Sequence, residues 1–166
     1  AVVGLVGLFC LYETASAGGR LVYSYAGGVG IRSGDPADVE RLLLAGLYHQ
    51  AQAERKAGRP AEASALLTQA GQRFRNDPEV QLAAAESLLV DRKDSAAALA
   101  ALEGITPPRE NRALRIRHGL LTADALEAAG QREGAVAVVQ GLLTEFPDAT
   151  RLQQRLDAVK SGAPPR

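Results

Sequence analysis

The sequence has no tryptophan and no methionine, and aromatic residues make up only 4% of its 166 residues. Its hydrophobic fraction, 46%, therefore consists mostly of alanine, leucine and valine. Such side chains suit close-packed helices better than a β-sandwich, whose strands favour aromatic and β-branched residues. The composition predicts an all-α fold, and the length fits one small domain with an appendage.

A single cysteine and a balanced charge exclude further classes of protein. Cys10 alone cannot form an internal disulfide or a zinc cluster. Lysine plus arginine equals aspartate plus glutamate at 19 each, so nothing favours nucleic-acid binding. His49 and His118 have no metal-ligand spacing, and no Gly-Lys-Ser/Thr completes a phosphate loop. We therefore predict a protein that is not an enzyme and has no catalytic residues, cofactor or metal.

Capping residues, prolines and glycines divide residues 35–160 into seven predicted helices. Asp35-Pro36 opens the first helix, and Gly58 ends it. Apolar residues recur at helical spacing within it. The other six helices are predicted at residues 60–74, 78–90, 95–105, 110–130, 133–146 and 149–160. The polar, proline-rich residues 161–166 are predicted to be a disordered tail.

An internal repeat groups these helices into pairs. The segments AGRPAEASALLTQAGQRFRNDPE and AGQREGAVAVVQGLLTEFPDA share Ala-Gly, a polar turn, an apolar helix, an aromatic residue and a proline-containing turn. The segment DRKDSAAALAALEGITPP occupies the same place without the glycine. Ala63, Ala97 and Ala135 are then the equivalent small residues, separated by 34 and 38 positions.

A 34-residue helix–turn–helix period resembles the tetratricopeptide repeat, over roughly Val39 to Lys160. The matching positions are Gly58, Gly130, Ala51, Ala123 and Pro147. The sequence departs from the family where a large aromatic residue is usual early in the first helix, and the middle repeat is degenerate. The resemblance implies a helical-hairpin solenoid of about three repeats with a closing helix, spanning residues 35–160.

In a stack of such hairpins the first helix of each pair lines a concave surface. The resemblance therefore implies a partner-binding groove formed by Tyr48, Gln52, Arg55, Leu82, Glu86, Leu89, Leu120, Asp124 and Glu127. This set mixes apolar anchors with both signs of charge, which suits a peptide or a helix as partner. The alternative is that some of these residues, the leucines above all, belong to the core. The basic segment RALRIRH at 112–118 is interpreted as a solvated stripe, or as a contact to lipid headgroups or an acidic partner.

The first twelve residues, AVVGLVGLFCLY, carry no charge. They are too few to span a bilayer but match the core of a signal peptide, and Ala-Ser-Ala could be its cleavage site. The absence of a preceding methionine and basic stretch favours the end of a transmembrane helix at residues 1–17. Residues 18–34 then form a Gly/Tyr-rich linker at the membrane surface. Tyrosine and arginine favour this boundary, and the predicted interface residues are Tyr12, Arg20, Tyr23 and Tyr25.

The segment GGRLVYSYAGGVGI resembles the end of the last helix in a family of small bacterial membrane domains of unassigned function. The matching residues are Gly18, Gly19, Leu21, Val22, Tyr23, Gly28, Val29, Gly30 and Ile31. The resemblance implies anchoring in the cytoplasmic membrane of a bacterium, with the repeats facing the periplasm. Arg20 and Arg32 point weakly to the opposite orientation, because basic residues favour the cytoplasmic side.

These observations predict a membrane-anchored protein–protein interaction scaffold, either an assembly factor or an accessory subunit. Its partners would be proteins of a hetero-oligomeric membrane complex, with a respiratory or photosynthetic electron-transport complex as one candidate, and the lipid bilayer. The alternative is a soluble periplasmic repeat protein, released from a signal peptide and beginning at Gly18, that binds a peptide. A third hypothesis, a regulatory domain of a longer enzyme, has no support in these residues.

Overall fold

A computed structural model describes residues 35–161, which fall into two compact units that meet in sequence between Leu47 and Tyr48. This part of the chain is all-helical. Its helices are α1 (Pro36–Lys56), α2 (Pro60–Arg73), α3 (Pro78–Val90), α4 (Ser95–Glu103), α5 (Arg112–Ala128), α6 (Arg132–Glu145) and α7 (Thr150–Ser161). The predicted transmembrane end, the predicted linker and the four interface residues lie outside the described residues. Of the predicted tail, Ser161 is the last residue of α7.

Helices α3, α4 and α5 begin after a residue whose side chain accepts hydrogen bonds from the free amides of the first turn, whereas α2 and α6 have no such side-chain cap. The Asp77 carboxylate accepts from the backbone N–H groups of Glu79 and Val80, at 2.9 and 3.3 Å. Asp94 and Asn111 cap α4 and α5 in the same way. Proline follows Asp77, where its missing N–H costs nothing. These local rules explain why the predicted helices and the observed ones differ by two residues or fewer at each end.

In the unit that begins at Tyr48, consecutive helices pack against each other, and α3 also contacts α5. Connections of three to eight residues join them, so each helix returns alongside its predecessor. The first and third hairpins bury the same positions. Ala51 of α1 packs with Ala63 and Leu67 of α2, and Ala123 of α5 packs with Ala135 and Val139 of α6. Each residue of the second cluster lies 72 positions after its counterpart in the first.

The middle hairpin follows the same scheme in a register that differs from the predicted one. Its fully buried small residue is Ala98, the fourth residue of α4, whereas Ala97 is only partly buried. Ala63 and Ala135 are likewise the fourth residues of α2 and α6. The prediction that Ala97 is the equivalent residue was therefore wrong by one position. Among the buried small residues of the first helices, Ala51, Ser87 and Ala123 are evenly spaced by 36.

Each hairpin also turns through one residue in the left-handed region. Gly58 has φ +73° and Gly130 has φ +76°, and Lys93 has φ +57° at the corresponding turn of the middle hairpin. The sequence suggests that this hairpin lacks the turn residue, because no glycine is present. The structure retains the backbone conformation and places a lysine in it. A side chain with a Cβ is strained there by about 1 kcal/mol or more.

Replacing Lys93 by glycine should therefore raise the free energy of unfolding by about 0.5–1 kcal/mol, because glycine adopts this conformation without the Cβ strain. Chemical denaturation of the full chain measures the change. Arg92→Gly is the matched control, since the neighbouring residue is also exposed and has no positive φ. Equal or lower stability of Lys93→Gly would contradict the strain assigned to this turn.

The last helix, α7, covers the end of the third hairpin with one face. Leu156 and Val159 join Ala123, Ala135 and Val139 in one buried cluster. The residues of α7 that point away from this cluster are exposed and mostly polar, namely Arg151, Gln153, Gln154, Asp157 and Lys160. This pattern is that of a closing helix with a solvated outer face.

In the other unit, Asp35 precedes α1, and residues 36–47 form the first part of this helix. The Asp35 carboxylate accepts a hydrogen bond from the Ala37 N–H at 2.9 Å, and Arg41 pairs with Asp38 at 3.3 Å. Val39 and Leu43 are exposed on this stretch. Among residues 35–161, no helix combines the length and the apolar character needed to cross a bilayer.

Candidate functional site

A shallow groove of about 140 Å³ lies where α1, α3 and α5 come together over α2. Ala51, Leu67 and Ala83 lie at its base and are almost fully buried. Its polar walls consist of Tyr48, Gln52, Arg55, Glu86 and Arg117. The groove exists because the buried alanines of the first hairpin let α1 and α2 approach closely. The longer polar side chains of three first helices are left to surround the opening.

Tyr48 presents a neutral phenol to this groove. Burial raises the pKa of its hydroxyl, and the nearby Arg117 guanidinium opposes the shift. The carboxylates of Asp77, Glu79 and Glu86 add to the raised pKa. The phenol therefore keeps its proton at physiological pH and is available to donate a hydrogen bond to a bound group.

An ion pair across the groove joins the middle hairpin to the third. The Arg117 Nη2 of α5 donates to the Glu86 Oε2 of α3 at 2.7 Å. The two side chains remain 46% and 42% exposed, so solvent screens the pair and its contribution to stability is small. The pair fixes where the two charges lie in the groove lining.

A more buried ion pair closes the other end of the groove. The Arg55 guanidinium donates to both carboxylate oxygens of Asp91, with Nη2 to Oδ2 at 2.6 Å and Nε to Oδ1 at 2.8 Å. The Ser87 hydroxyl donates to the same Oδ2 at 2.6 Å. The Asp91 side chain is only 4% exposed. Burial alone would raise its pKa, but the hydrogen bonds from Arg55 and Ser87 outweigh burial and lower the pKa of Asp91.

Because the pKa of Asp91 is lower in the folded chain than in the unfolded chain, the ionised carboxylate favours folding. That contribution is present above the unfolded pKa, near 4, and is lost as the pH falls through the lower folded pKa. We expect Asp91→Asn to lower the free energy of unfolding at pH 7 by about 1–3 kcal/mol, since it leaves Arg55 without its charged partner. The difference from the wild type should shrink progressively below pH about 5.

Urea denaturation of both chains across this pH range measures the effect. Asp157→Asn, which removes an exposed carboxylate from α7, is the control. If the difference in free energy of unfolding between the wild type and Asp91→Asn stays constant with pH, the ionised Asp91 carboxylate is not what stabilises the contacts to Arg55 and Ser87.

A third set of charges joins α5 to α7. The Arg155 Nη2 donates to Asp124 Oδ1 at 2.6 Å and to Glu127 Oε2 at 2.5 Å. The Arg155 side chain is 12% exposed. Burial raises the pKa of the Asp124 carboxyl, and the hydrogen bond from Arg155 offsets this only in part. The Asp124 and Glu127 carboxylates therefore share the Arg155 guanidinium as their counter-ion.

These three sets of charges form a ladder along the first helices. Arg55, Asp91 and Glu127 are spaced by 36 residues, because they lie four residues after Ala51, Ser87 and Ala123 respectively. We call the set Arg55–Asp91, Glu86–Arg117 and Asp124/Glu127–Arg155 the ion-pair ladder. It ties each first helix to the next, so the charged groups around the groove are engaged within the chain.

The structure brings four of the nine predicted groove residues together: Tyr48, Gln52, Arg55 and Glu86. Leu82 is fully buried in the core with Ala85 and Ala98, so it is unavailable to a partner. The prediction placed Leu82 in the groove because it assumed a spacing of 34 residues between the first two hairpins. In the structure, the equivalent buried residues Ala51 and Ser87 are 36 residues apart. The remaining residues lie elsewhere: Leu89 packs on the core, Leu120 is partly buried outside the groove lining, and Asp124 and Glu127 bind Arg155.

Sequence reasoning missed Arg117, which it assigned to a solvated basic stripe. The other arginines of that stripe are also paired: Arg112 binds Asp148 at 2.7 Å, and Arg115 pairs with Glu145. Their guanidinium carbons lie 5.2 and 5.3 Å from the centre of the Phe146 ring. The sequence does contain a signal that could have identified Arg117 as a groove residue. It is the opposite charge of Glu86 on a helix about one repeat earlier.

Within the described part of the chain, no group of three or more histidine, cysteine, aspartate or glutamate residues could hold a metal ion. His118 instead lies with its Nε2 3.0 Å from the Leu102 carbonyl oxygen. The arrangement can bind by shape and by hydrogen bonds from the Tyr48 phenol and the Gln52 amide. Comparison with known proteins adds no assignment, because no family model, curated protein or solved structure matches this chain.

Proposed function

We propose that this protein is a tetratricopeptide-like scaffold that binds a polypeptide segment of a partner protein in the groove around Tyr48 and Gln52. The observation that carries the proposal is the convergence of three first helices on one groove lined by polar side chains. In stacked helical hairpins, such surfaces bind extended or helical segments of other proteins. The three equivalent turns and the evenly spaced buried residues support the repeat architecture.

The second part of the proposal is that the chain acts at a membrane. The uncharged residues 1–12 and the neighbouring tyrosines support it, as does the resemblance of the segment GGRLVYSYAGGVGI to bacterial membrane domains. The scaffold would then be an accessory subunit or assembly factor of a hetero-oligomeric complex in the cytoplasmic membrane. Its repeats would face the periplasm. A soluble periplasmic protein beginning at Gly18 is the second candidate, favoured by the Ala-Ser-Ala that precedes this glycine.

Site-specific photo-crosslinking in the organism that encodes the protein tests both parts. A photo-reactive amino acid replaces Gln52, an exposed residue in the groove lining, in the tagged full chain. We expect one dominant protein adduct in the membrane fraction, recovered with mild detergent. The matched control places the same amino acid at Gln140, an exposed glutamine on α6 that does not line the groove. It should give no such adduct.

The outcomes separate the hypotheses. The same adduct from both positions, or none from either, would contradict a binding site in this groove. A groove-specific adduct in the soluble fraction, on a chain whose N-terminus is Gly18, would retain the scaffold and replace the anchored form with the secreted one. Mass spectrometry of the adduct identifies both the partner segment and the N-terminus.

A further inference from the structure

We infer that the partner segment presents the carboxamide of an asparagine or glutamine side chain to the groove. This inference rests on the proposed function and specifies the chemistry of the partner. Three features of the groove support it: the polar surface that it exposes, the balance of its charges, and the hydrogen-bonding groups of its lining.

The surface that the groove offers to a partner belongs mostly to polar side chains. Ala51, Leu67 and Ala83 at its base are 1, 3 and 7% exposed, whereas the Glu86 and Arg117 side chains in its lining are 42% and 46% exposed. An apolar group placed there would cover little apolar surface and would desolvate polar groups. Affinity must therefore come from hydrogen bonds between the occupant and the lining.

The charges around the groove disfavour an occupant of either sign. Arg55 is paired with Asp91, and Arg117 with Glu86, so the net charge of these four groups is zero. A partner carboxylate would have to displace a carboxylate from its arginine. A partner ammonium or guanidinium would have to displace an arginine from its carboxylate. Each exchange breaks one ion pair to form another, so a charged segment gains little.

Acidic groups near Tyr48 add to the case against a carboxylate. Besides burial, the carboxylates of Asp77, Glu79 and Glu86 raise the pKa of the Tyr48 hydroxyl, while Arg117 acts in the opposite direction. A further carboxylate at this end of the groove would meet more negative than positive charge. A neutral occupant meets no such repulsion.

The lining keeps both donors and acceptors for a neutral group. Within residues 35–161, Glu86 accepts only from Arg117 and through Oε2, so its Oε1 remains an acceptor. The Tyr48 hydroxyl and the Gln52 amide have no hydrogen-bond partner in this part of the chain. All four side chains line the same groove of about 140 Å³, so one side-chain group can reach several of them.

A carboxamide matches this set of donors and acceptors. One planar group carries two N–H donors and a carbonyl acceptor. It can donate to Glu86 Oε1 and to the Gln52 carbonyl oxygen while it accepts from the Tyr48 hydroxyl. A hydroxyl or a peptide group has one donor and a carboxylate has none, so each would leave more of the lining unsatisfied.

Selection from a random peptide library displayed on phage tests the inference. The bait is the full chain in detergent. Selection is repeated against the double variant Tyr48→Phe, Gln52→Met, which removes two hydrogen-bonding groups and nearly retains the side-chain volumes. We expect the peptides that bind only the unchanged chain to share an asparagine or glutamine at a fixed position.

Calorimetry with synthetic peptides then measures what that residue contributes. Replacing it by the carboxylate of the same length, by lysine or by leucine should raise the dissociation constant about tenfold or more, because lining groups are left unsatisfied. For the unchanged peptide, the dissociation constant should vary by less than about threefold between about 50 and about 500 mM NaCl. Gln140→Met, outside the groove lining, is the matched control and should leave affinity unchanged.

Failure of this inference can be told apart from failure of the proposed function. Groove-dependent peptides with a fixed charged residue and steep salt dependence, or with a fixed apolar residue, would overturn the carboxamide and leave the scaffold standing. If no peptide depends on Tyr48 and Gln52, the groove is not a peptide site and both proposals fail. Circular dichroism of the double variant confirms that the comparison is made on a folded chain.

Discussion

Replacing Ala135 by leucine should lower the free energy of unfolding by about 2–4 kcal/mol. Ala135 is fully buried between α6 and its neighbours, packed with Ala123, Val139 and Leu156. Three extra heavy atoms cannot be accommodated without moving a helix or forcing side chains off their rotamers, and overpacking of this kind costs about 1–3 kcal/mol or more. Because alanine and leucine have similar helix propensities, the loss would report on packing alone.

Ala137→Leu is the matched control, because Ala137 lies on the same helix and is exposed. It should change stability by less than about 0.5 kcal/mol. Thermal and urea denaturation of the three chains decide the question. If Ala135→Leu were as stable as Ala137→Leu, the close approach of α5 and α6 would be wrong, and with it the equivalence of the three hairpins.

The second large effect is expected from Arg155→Met, which should lower the free energy of unfolding at pH 7 by about 2–4 kcal/mol. Methionine retains much of the arginine stem's volume but leaves Asp124 and Glu127 facing each other without a cation. Removing one partner of a largely buried set of charges costs several kcal/mol, because the remaining charges lose their solvation and gain nothing in return. The Arg155 side chain is 12% exposed, so little solvent compensates.

The effect should also depend on pH in a defined direction. Burial already raises the pKa of Asp124 in the wild type, so the folded chain takes up a proton there more readily than the unfolded chain. Folding is therefore favoured as the pH falls through that raised pKa, and loss of Arg155 strengthens this trend. The deficit of Arg155→Met should shrink as the pH is lowered from 7 towards 5.

Two controls isolate the charge. Arg151→Met changes an exposed arginine of the same helix and should have little effect. The triple variant Arg155→Met, Asp124→Asn, Glu127→Gln should recover most of the lost stability at pH 7, since no unpaired charge remains. A deficit that persists unchanged in the triple variant would mean that Arg155 contributes through packing of its stem and that the ion-pair ladder is incidental.

Local signals in the sequence predict the helices of residues 35–161 well, for physical reasons. Asp77-Pro78 and Asn111 satisfy free amides wherever they occur, and Gly58 adopts its positive φ without strain. Such rules act over a few residues and need no knowledge of the fold. They also predict that helices joined by short connections pack consecutively, as they do in the unit that begins at Tyr48.

The register between hairpins was harder to predict, since it depends on packing between distant residues. The run SAAALA offers several alanines, and only packing decides that Ala98 rather than Ala97 is buried. The same uncertainty placed Leu82 on the predicted groove surface although it is fully buried, whereas Glu86, four residues later, does line the groove. Lys93 shows a further limit, because a turn that normally selects glycine is held here by the surrounding hairpin.

The one-sided burial of α7 has a consequence for what happens when this end of the domain opens. Leu156 and Val159 of α7 pack against Ala123, Ala135 and Val139, so this helix covers the cluster on one side. Detachment of α7 would leave a flat, small-residue surface of the kind that a neighbouring hairpin is built to cover. A second chain with the same exposed end could stack on it. Because both chains would use the same surface, this pairing closes as a symmetric dimer, so proteolysis within residues 146–149 should produce a dimer through a surface that α7 covers in the intact chain.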